Sequence, residues 1–426
     1  MPTKKIDTQK ETINTLLVNP QTKETVESLI SFPKEMENIT ILWNPQETVE
    51  SLVTFETEKT AKGTPKKRKT AKVSAKIVHV KPTHQPHEII KHIQNPIINP
   101  NKDNWWESEQ VFNPGVVDVN GKVHIIYRSI GWDGVSRFGY ANSEDGFTVD
   151  HRISYPVYKH ELISQKGQYF VNNSGGSWGG GEDPRLVHIE EDHTIYMTYT
   201  ACDNGLRVGL ASIKTDDFIN RRWKWTKPQL ISSPNEVNKN WVLFPEKING
   251  KYAILSSITP KIAIEYRDTL NFKRNDFIKS EFRNDETRND VWDSWVRGAG
   301  PPPIKTKYGW LVLYHAMDKF NPKEYLLGAM LLDLEDPTKI LYRSKAPIME
   351  PRETYENEGF KAGVIYASGA IVRDENLIIY YGGADSYVCA AYTNLEEFLQ
   401  NLMKDEKPKI KNVVTKKRVT KKKEIG

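Results

Sequence analysis

Five times along the chain a Pro- or Gly-marked approach leads into a strand, a polar turn and a second strand rich in aromatic residues. The first copy is Phe112-Asn113-Pro114-Gly115-Val116-Val117, a turn at Asn120-Gly121 and residues 122–129. The second is Glu182-Asp183-Pro184-Arg185-Leu186-Val187, a turn near Asp192 and residues 194–201. The third is Phe244-Pro245-Glu246-Lys247-Ile248, a turn at Asn249-Gly250 and residues 251–258. The fourth runs from Gly300 through Pro301-Pro302-Pro303 to Ile304, turns at Tyr308-Gly309 and returns over 310–316. The fifth runs from Ala367 to Val372, turns near Glu375-Asn376 and returns over 377–384. A hairpin recurring at intervals of roughly 55 to 75 residues reads as radial repetition. It predicts an all-β fold, a five-bladed β-propeller.

The repeat also predicts where chemistry sits. The start of a hairpin's first strand and the end of its second lie together, so five such ends should meet on one rim. The entering groups are Asn113, Glu182 with Asp183, Glu246, Gly300 and Ser368. The leaving groups are Arg128, Tyr199 with Thr200, Ser257, His315 and Asp385. Acidic, amide and basic side chains at the mouth of an otherwise apolar β structure point to a ligand site. The plainer reading is a rim that is polar because it faces water.

Composition narrows the class. Eleven Trp, nineteen Tyr and fourteen Phe suit both β packing and sugar stacking. Cys202 and Cys389 are the only cysteines and form no CxxC pair, which argues against a disulfide framework or a structural zinc site and for a reducing compartment. The first residues lack the apolar stretch of a signal peptide, and no run approaches the roughly 18 apolar residues of a membrane span. A cytoplasmic protein without a membrane partner is expected. The net charge of +5 comes from two segments, 62–76 and 404–426, each with a balance of +7; the remainder stands at −9. An acidic body is not a nucleic-acid-binding core, so contacts with nucleic acid should be limited to weak, salt-dependent ones by the tails. Residues 1–80 form a low-complexity extension with a short duplication (19–32 and 44–55) and a basic linker, to which no function attaches. The propeller is expected over 87–403, closed by a short helix from Leu395 to Met403. Residues 404–426 read as a disordered basic tail.

The sharpest local motif is Gly179-Gly180-Gly181-Glu182-Asp183-Pro184-Arg185. Glycines allow close backbone approach, and a carboxyl group at this strand entrance can act as a general acid if its surroundings raise its proton affinity. Glycine runs and Asp-Pro also mark plain turns. Strand alternation points Glu182 away from Asp183. The histidines are scattered without metal-ligand spacing, and no phosphate-binding glycine loop precedes a helix. No metal or bound cofactor is expected.

The segments 182–185, 243–248, 298–316, 331–343 and 380–385, in this order across about 95–400, resemble glycoside hydrolase family 130. That family holds β-mannoside phosphorylases and some β-mannosidases on five-bladed propellers. The resemblance implies that Asp183 is the catalytic acid, protonating the glycosidic oxygen through the sugar's 3-hydroxyl while phosphate attacks the anomeric carbon from the opposite face. It implies that Asn113, Arg128 and Asp385 hold the mannose; Arg185 and Tyr366 join the substrate-binding set. Lys239, Arg297 and His315 are placed around inorganic phosphate, the co-substrate. The chain departs from the family's phosphorylases by carrying Lys239 for one arginine and Ser257 for another, and lysine replaces a bidentate contact with a point charge. In a hydrolase reading water replaces phosphate, and Glu246 becomes the general base of an inverting pair. A third reading is a silent, glycan-binding propeller. Trp105, Trp106, Trp178, Trp292, Trp295 and Tyr366 are candidates to shape the acceptor site. Expected partners are a β-mannoside oligosaccharide, phosphate and a second copy of the chain in a homo-oligomer.

Overall fold

The computed structural model describes residues 89–162, 173–203, 205–283, 288 and 291–404, together with the backbone of the short strands Ser51–Leu52, Val78–His79, Ser164–Gln165 and Gln168–Tyr169. The duplication before residue 57, the basic linker and the tail from 405 lie outside the described side chains. The fold is all-β with little helix.

Five antiparallel meanders follow a short strand, labelled β1 (Ile90–Lys91), which comes after the Ser51–Leu52 and Val78–His79 pair. Meander I holds β2 (Gln110–Val119), β3 (Lys122–Ile130), β4 (Val135–Ser143) and β5 (His151–Arg152). Meander II holds β6 (Gly179–Ile189), β7 (Thr194–Asp203), β8 (Gly205–Lys214) and β9 (Gln229–Leu230). Meander III is β10 (Val242–Leu243), β11 (Tyr252–Ser257) and β12 (Ala263–Arg267). Meander IV is β13 (Trp295–Ala299) and β14 (Ile304–Thr306), both paired with β15 (Gly309–Asp318), then β16 (Asn321–Leu332) and β17 (Ile340–Arg343). Meander V is β18 (Ile365–Arg373), β19 (Asn376–Gly383) and β20 (Tyr387–Asn394). β1 pairs Ile90 with Tyr392 and Lys91 with Ala391, so the start of the domain completes the last meander. Meanders I and II touch through a two-residue parallel contact, Gly179 and Gly180 against Val135 and Ser136. No sheet closes on itself among the described residues.

The turns follow from local chemistry. Asn120-Gly121 and Asn249-Gly250 all have positive φ (55°, 71°, 52° and 75°), which matches the twist of the flanking strands. The second strands are buried on both faces: β3 and β15 have almost no exposed side chain. The reason is that each sheet packs face to face on the next. Five apolar clusters fill the gaps, between I and II, II and III, III and IV, IV and V, and V and I. The first strands also approach one another closely. A Cβ on Gly115 of meander I would lie 2.5 Å from the Pro184 carbonyl of II, and one on Gly369 of V would lie 2.6 Å from the Pro114 carbonyl of I. The helix Leu395–Lys404 buries Phe398, Leu399 and Leu402 against the IV–V cluster.

Two hairpins depart from the sequence expectation. In meander III the first strand is Val242–Leu243, so Phe244-Pro245-Glu246 already belongs to the turn end. In meander IV the entrance strand is Trp295–Ala299, upstream of Gly300. Pro301-Pro302-Pro303 has no N–H to give to a ladder and interrupts it before Ile304 resumes the pairing.

Candidate active site

The entrance strands share one irregularity. Register shifts interrupt the pairing between Phe112 and Gly115, Glu182 and Arg185, Val296 and Gly298, and Ala367 and Gly369. Such bulges add a residue and re-aim a side chain. In meanders I and II the inserted pair is Asn113-Pro114 and Asp183-Pro184, with Asn113 at φ 46° and Asp183 at φ 51°. Asn and Asp tolerate this left-handed conformation better than other side chains. Asn240, just before β10, has φ 64°, and Ala384-Asp385, just after β19, have φ 50° and 49°. These five residues lie at the entrance end of the meanders, where the candidate site groups are, and the other non-glycine residues of positive φ serve turns elsewhere.

These bends bring Asp183 to Asn113 and Arg128. The Asn113 amide donates to Asp183 Oδ1 at 2.8 Å, and Arg128 Nη1 donates to the same oxygen at 3.1 Å. Arg128 Nη2 reaches Glu182 Oε1 at 3.2 Å, and Lys239 Nζ lies 2.8 Å from Glu182 Oε2. Arg128 is fixed further by Ser136 Oγ, Ser177 Oγ and the Ser174 and Gly175 carbonyls. Glu182 therefore does not point away from the site. The bulge at Asp183 breaks strand alternation, and both carboxylates face the same guanidinium.

The electrostatics of the two candidate carboxyls diverge. Burial alone would raise Asp183, but the charges of Arg128, Arg185 and Lys239 and the Asn113 hydrogen bond hold it well below the usual carboxylate range. Asp385 is also buried, and no hydrogen bond reaches its carboxylate among the described residues. Burial, reinforced by the Asp183 charge, pushes it up to about 6 against the pull of Arg128, Lys361 and Lys239. The site thus pairs an ionised Asp183 with a carboxyl that takes up a proton near neutral pH.

Arg185 ties four meanders together. Its guanidinium donates to the Asp183 carbonyl, the Gly300 carbonyl, Asn240 Oδ1 and the Tyr366 hydroxyl at 2.8, 2.8, 2.9 and 3.0 Å. The Tyr366 hydroxyl donates in turn to Asn240 Oδ1 at 2.5 Å. Arg185, 1% exposed, is committed to protein and positions the site rather than offering itself to a sugar. The Tyr366 hydroxyl is committed too, and its ring stacks on His315 at 4.0 Å between centroids.

His315 corrects another expectation. It is fully buried, and desolvation together with the Arg185 charge lowers it to about 3. It is neutral at pH 7 and adds no positive charge for an anion. Arg297 does: its Nε donates to the Tyr325 hydroxyl at 2.9 Å and its guanidinium lies over Trp295. The exposed Lys361 ammonium lies 5.2 Å from the centre of the same Tyr325 ring. Lys239 is held by Glu182 and by Ser174 Oγ at 2.5 Å. Ser257 donates to the Thr259 carbonyl at 2.7 Å.

Glu246 is removed from the site. It lies at the turn end of meander III and pairs with Lys305 at 2.5 Å. The group that occupies its expected place is Asn240. The motif Asn238-Lys239-Asn240 signalled polarity there, but nothing local revealed which member closes the rim; Tyr325 and Lys361 carried no signal at all. Of the candidate aromatics, Trp106 is core, Trp292 stacks on Tyr314, and Trp178 lines an opening of about 400 Å³ beside Arg128, with residues 173–177 and Phe360.

Residues 80–405 match the profile of glycoside hydrolase family 130, described as beta-1,4-mannooligosaccharide phosphorylase. The chain is 37% identical over 314 residues to the 1,2-beta-oligomannan phosphorylase of Thermoanaerobacter sp. (strain X514), a stretch covering 71% of this chain and 96% of that protein. It is 34% identical over 317 residues to the beta-1,2-mannobiose phosphorylase of the same organism, again covering 71% and 96%. The solved beta-1,2-mannobiose phosphorylase from Listeria innocua, in complex with beta-1,2-mannobiose, superposes with a TM-score of 0.56 at 26% identity, covering 74% of this chain and 99% of that one. The match spans all five meanders and the buried cluster at their common end, and the chain belongs to glycoside hydrolase family 130.

Proposed function

We propose that this protein is an inverting phosphorylase of short β-linked mannosides, using inorganic phosphate to release α-mannose 1-phosphate. The observation that carries the reading is the pairing of an acidic cluster, Asp183 and Asp385, with cations that remain available to an anion, Arg297 at the Tyr325 hydroxyl and Lys361 beside its ring. Asn113, Arg128 and Asp385 hold the sugar hydroxyls; the Asn113 Oδ1 is buried without a hydrogen-bond partner among the described residues and suits a hydroxyl donor. Asp183 delivers the proton to the leaving oxygen through the sugar's 3-hydroxyl. It is ionised in the free enzyme, so it takes up a proton from solvent as substrates bind, and the attacking hydrogen phosphate gives up its own proton when the mannosyl–phosphate bond forms. A phosphate anion beside Arg297 adds negative charge near Asp183 and raises its proton affinity. Attack by phosphate and protonation of the leaving group are then coupled electrostatically. Arg185 and Tyr366 keep Asn240 and the Asp183 backbone in place, and His315 serves as a neutral neighbour of Tyr366.

The five meanders, the five apolar clusters between successive pairs and the close approach of the first strands support a five-bladed propeller closed by β1 on β20. We assign the catalytic domain to 87–403, with 1–80 as a low-complexity extension carrying a basic linker and 404–426 as a basic tail. Two buried cysteines outside any disulfide, Cys202 and Cys389, fit a reducing, cytoplasmic setting. No helix among the described residues is long and apolar enough to cross a membrane.

The test is product analysis on β-1,2- and β-1,4-mannobiose with and without phosphate. The relatives of 37% and 34% identity are named for β-1,2 linkages, so that disaccharide comes first. Mannose 1-phosphate formed only with phosphate is the expected result. Free mannose at a rate indifferent to phosphate would instead establish a hydrolase, the reading that Ser257 in place of an arginine favours.

A further inference from the structure

Next to the opening beside Arg128, the chain exposes aromatic surface that its core does not need. Trp132 is 73% exposed and Trp105 is 50% exposed, with ring centroids 6.2 Å apart. Large exposed indoles side by side mark a binding surface more often than they mark packing.

The pair is rigidly built. Trp132 sits in the tight turn Gly131–Gly134, closed by a 2.9 Å hydrogen bond from the Gly134 amide to the Gly131 carbonyl, and its own amide donates to the Trp105 carbonyl. A side chain on Gly131 would collide with that carbonyl at 2.0 Å, so glycine is what lets the two segments touch. Arg137 lies over the Trp105 ring at 4.8 Å and is clamped by both Asp133 oxygens at 3.0 and 2.5 Å.

The surface is continuous with the site. Trp178, which lines the opening, donates its indole N–H to the Asp133 carbonyl at 2.8 Å and its amide to the Gly134 carbonyl at 3.1 Å. One turn therefore supports both the wall of the opening and the exposed pair outside it.

We propose that Trp132 and Trp105 form a distal sugar platform for β-mannosides longer than two units. The reacting mannose lies over Arg128 and Asp385, the next residue passes Trp178, and later residues stack their C–H faces on the two exposed indoles. The inference rests on the β-mannoside reading of the site, and it makes chain length a property this enzyme selects.

The experiment compares kcat/KM for β-mannobiose and β-mannotetraose in wild type, Trp132→Ala, Trp105→Ala and Trp132→Phe. Either released product, mannose 1-phosphate or mannose, is counted, so the platform is tested whichever of phosphate or water is the acceptor. Wild type is expected to favour the tetraose. Each alanine variant should lower the tetraose-to-biose ratio at least fivefold, mainly through KM, and Trp132→Phe should keep the ratio within twofold. A wild-type ratio near one, or a ratio unmoved by both alanine variants, overturns the proposal. An oligomer that dissociates in the alanine variants with an unchanged ratio also overturns it, and assigns the surface to a second copy of the chain.

Discussion

Asp385→Asn should make the protein more stable at pH 8 and not at pH 4. The Asp385 carboxyl is 8% exposed and is pushed from its ordinary 3.8 up to about 6, first by burial and then by the Asp183 charge. A carboxyl that binds its proton more tightly in the folded state adds stability below 3.8, and that increment is lost as pH rises through about 6. The difference between the two values corresponds to about 3 kcal/mol. Above pH 6 the wild type therefore carries a buried, poorly compensated anion. Asparagine keeps the shape and removes the charge. Part of the gain is offset because Asp385 also helps to balance Arg128, so the expected net gain is about 1 to 3 kcal/mol at pH 8. The assay is equilibrium urea denaturation of wild type and variant at pH 4, 6 and 8, with activity measured on the same samples. The two proteins should be nearly equal at pH 4 and diverge as pH rises, while turnover falls sharply in the variant. A gain of the same size at all three values, or a loss at pH 8, would refute the account of Asp385 as a carboxyl held near its protonation point by burial.

Three other outcomes are expected. Asp183→Asn should reduce turnover of unactivated mannosides by about 10³-fold or more and lower the thermal midpoint at neutral pH, because the buried Arg128 loses one of its two carboxylate partners, while the variant stays folded; substantial residual activity would remove Asp183 as the acid. Arg297→Ala should raise the apparent KM for phosphate at least about tenfold while changing that for the mannoside little; equal changes in both would indicate general damage. Glu246→Gln should leave product formation intact with and without phosphate and cost no more than about 1 kcal/mol in urea denaturation, since it removes only an exposed pair with Lys305; loss of activity would return Glu246 to the mechanism.

Local chemistry in the sequence carried the repeat and much of the site. Asn120-Gly121 and Asn249-Gly250 specify tight hairpin turns wherever they occur between apolar strands. Asn113-Pro114 and Asp183-Pro184 suit the bulges found there, because an amide or carboxylate residue accepts the left-handed backbone and proline cannot give a ladder hydrogen bond, but by sequence alone they read as a turn and a regular strand. Asn113, Arg128, Asp183 and Asp385 stand out by their places at the strand ends and by family resemblance. The tertiary structure decided what long-range geometry controls. One added residue at Asp183 reverses strand alternation and turns Glu182 toward Arg128 and Lys239. The short entrance strand of meander III puts Asn240 at the rim and Glu246 at the far end. Burial makes His315 neutral and Asp385 proton-hungry. Charge state and side-chain commitment depend on groups tens to hundreds of residues away in the chain. Period and turn chemistry act over a few residues, so they fix the hairpins without fixing which polar groups those hairpins bring face to face.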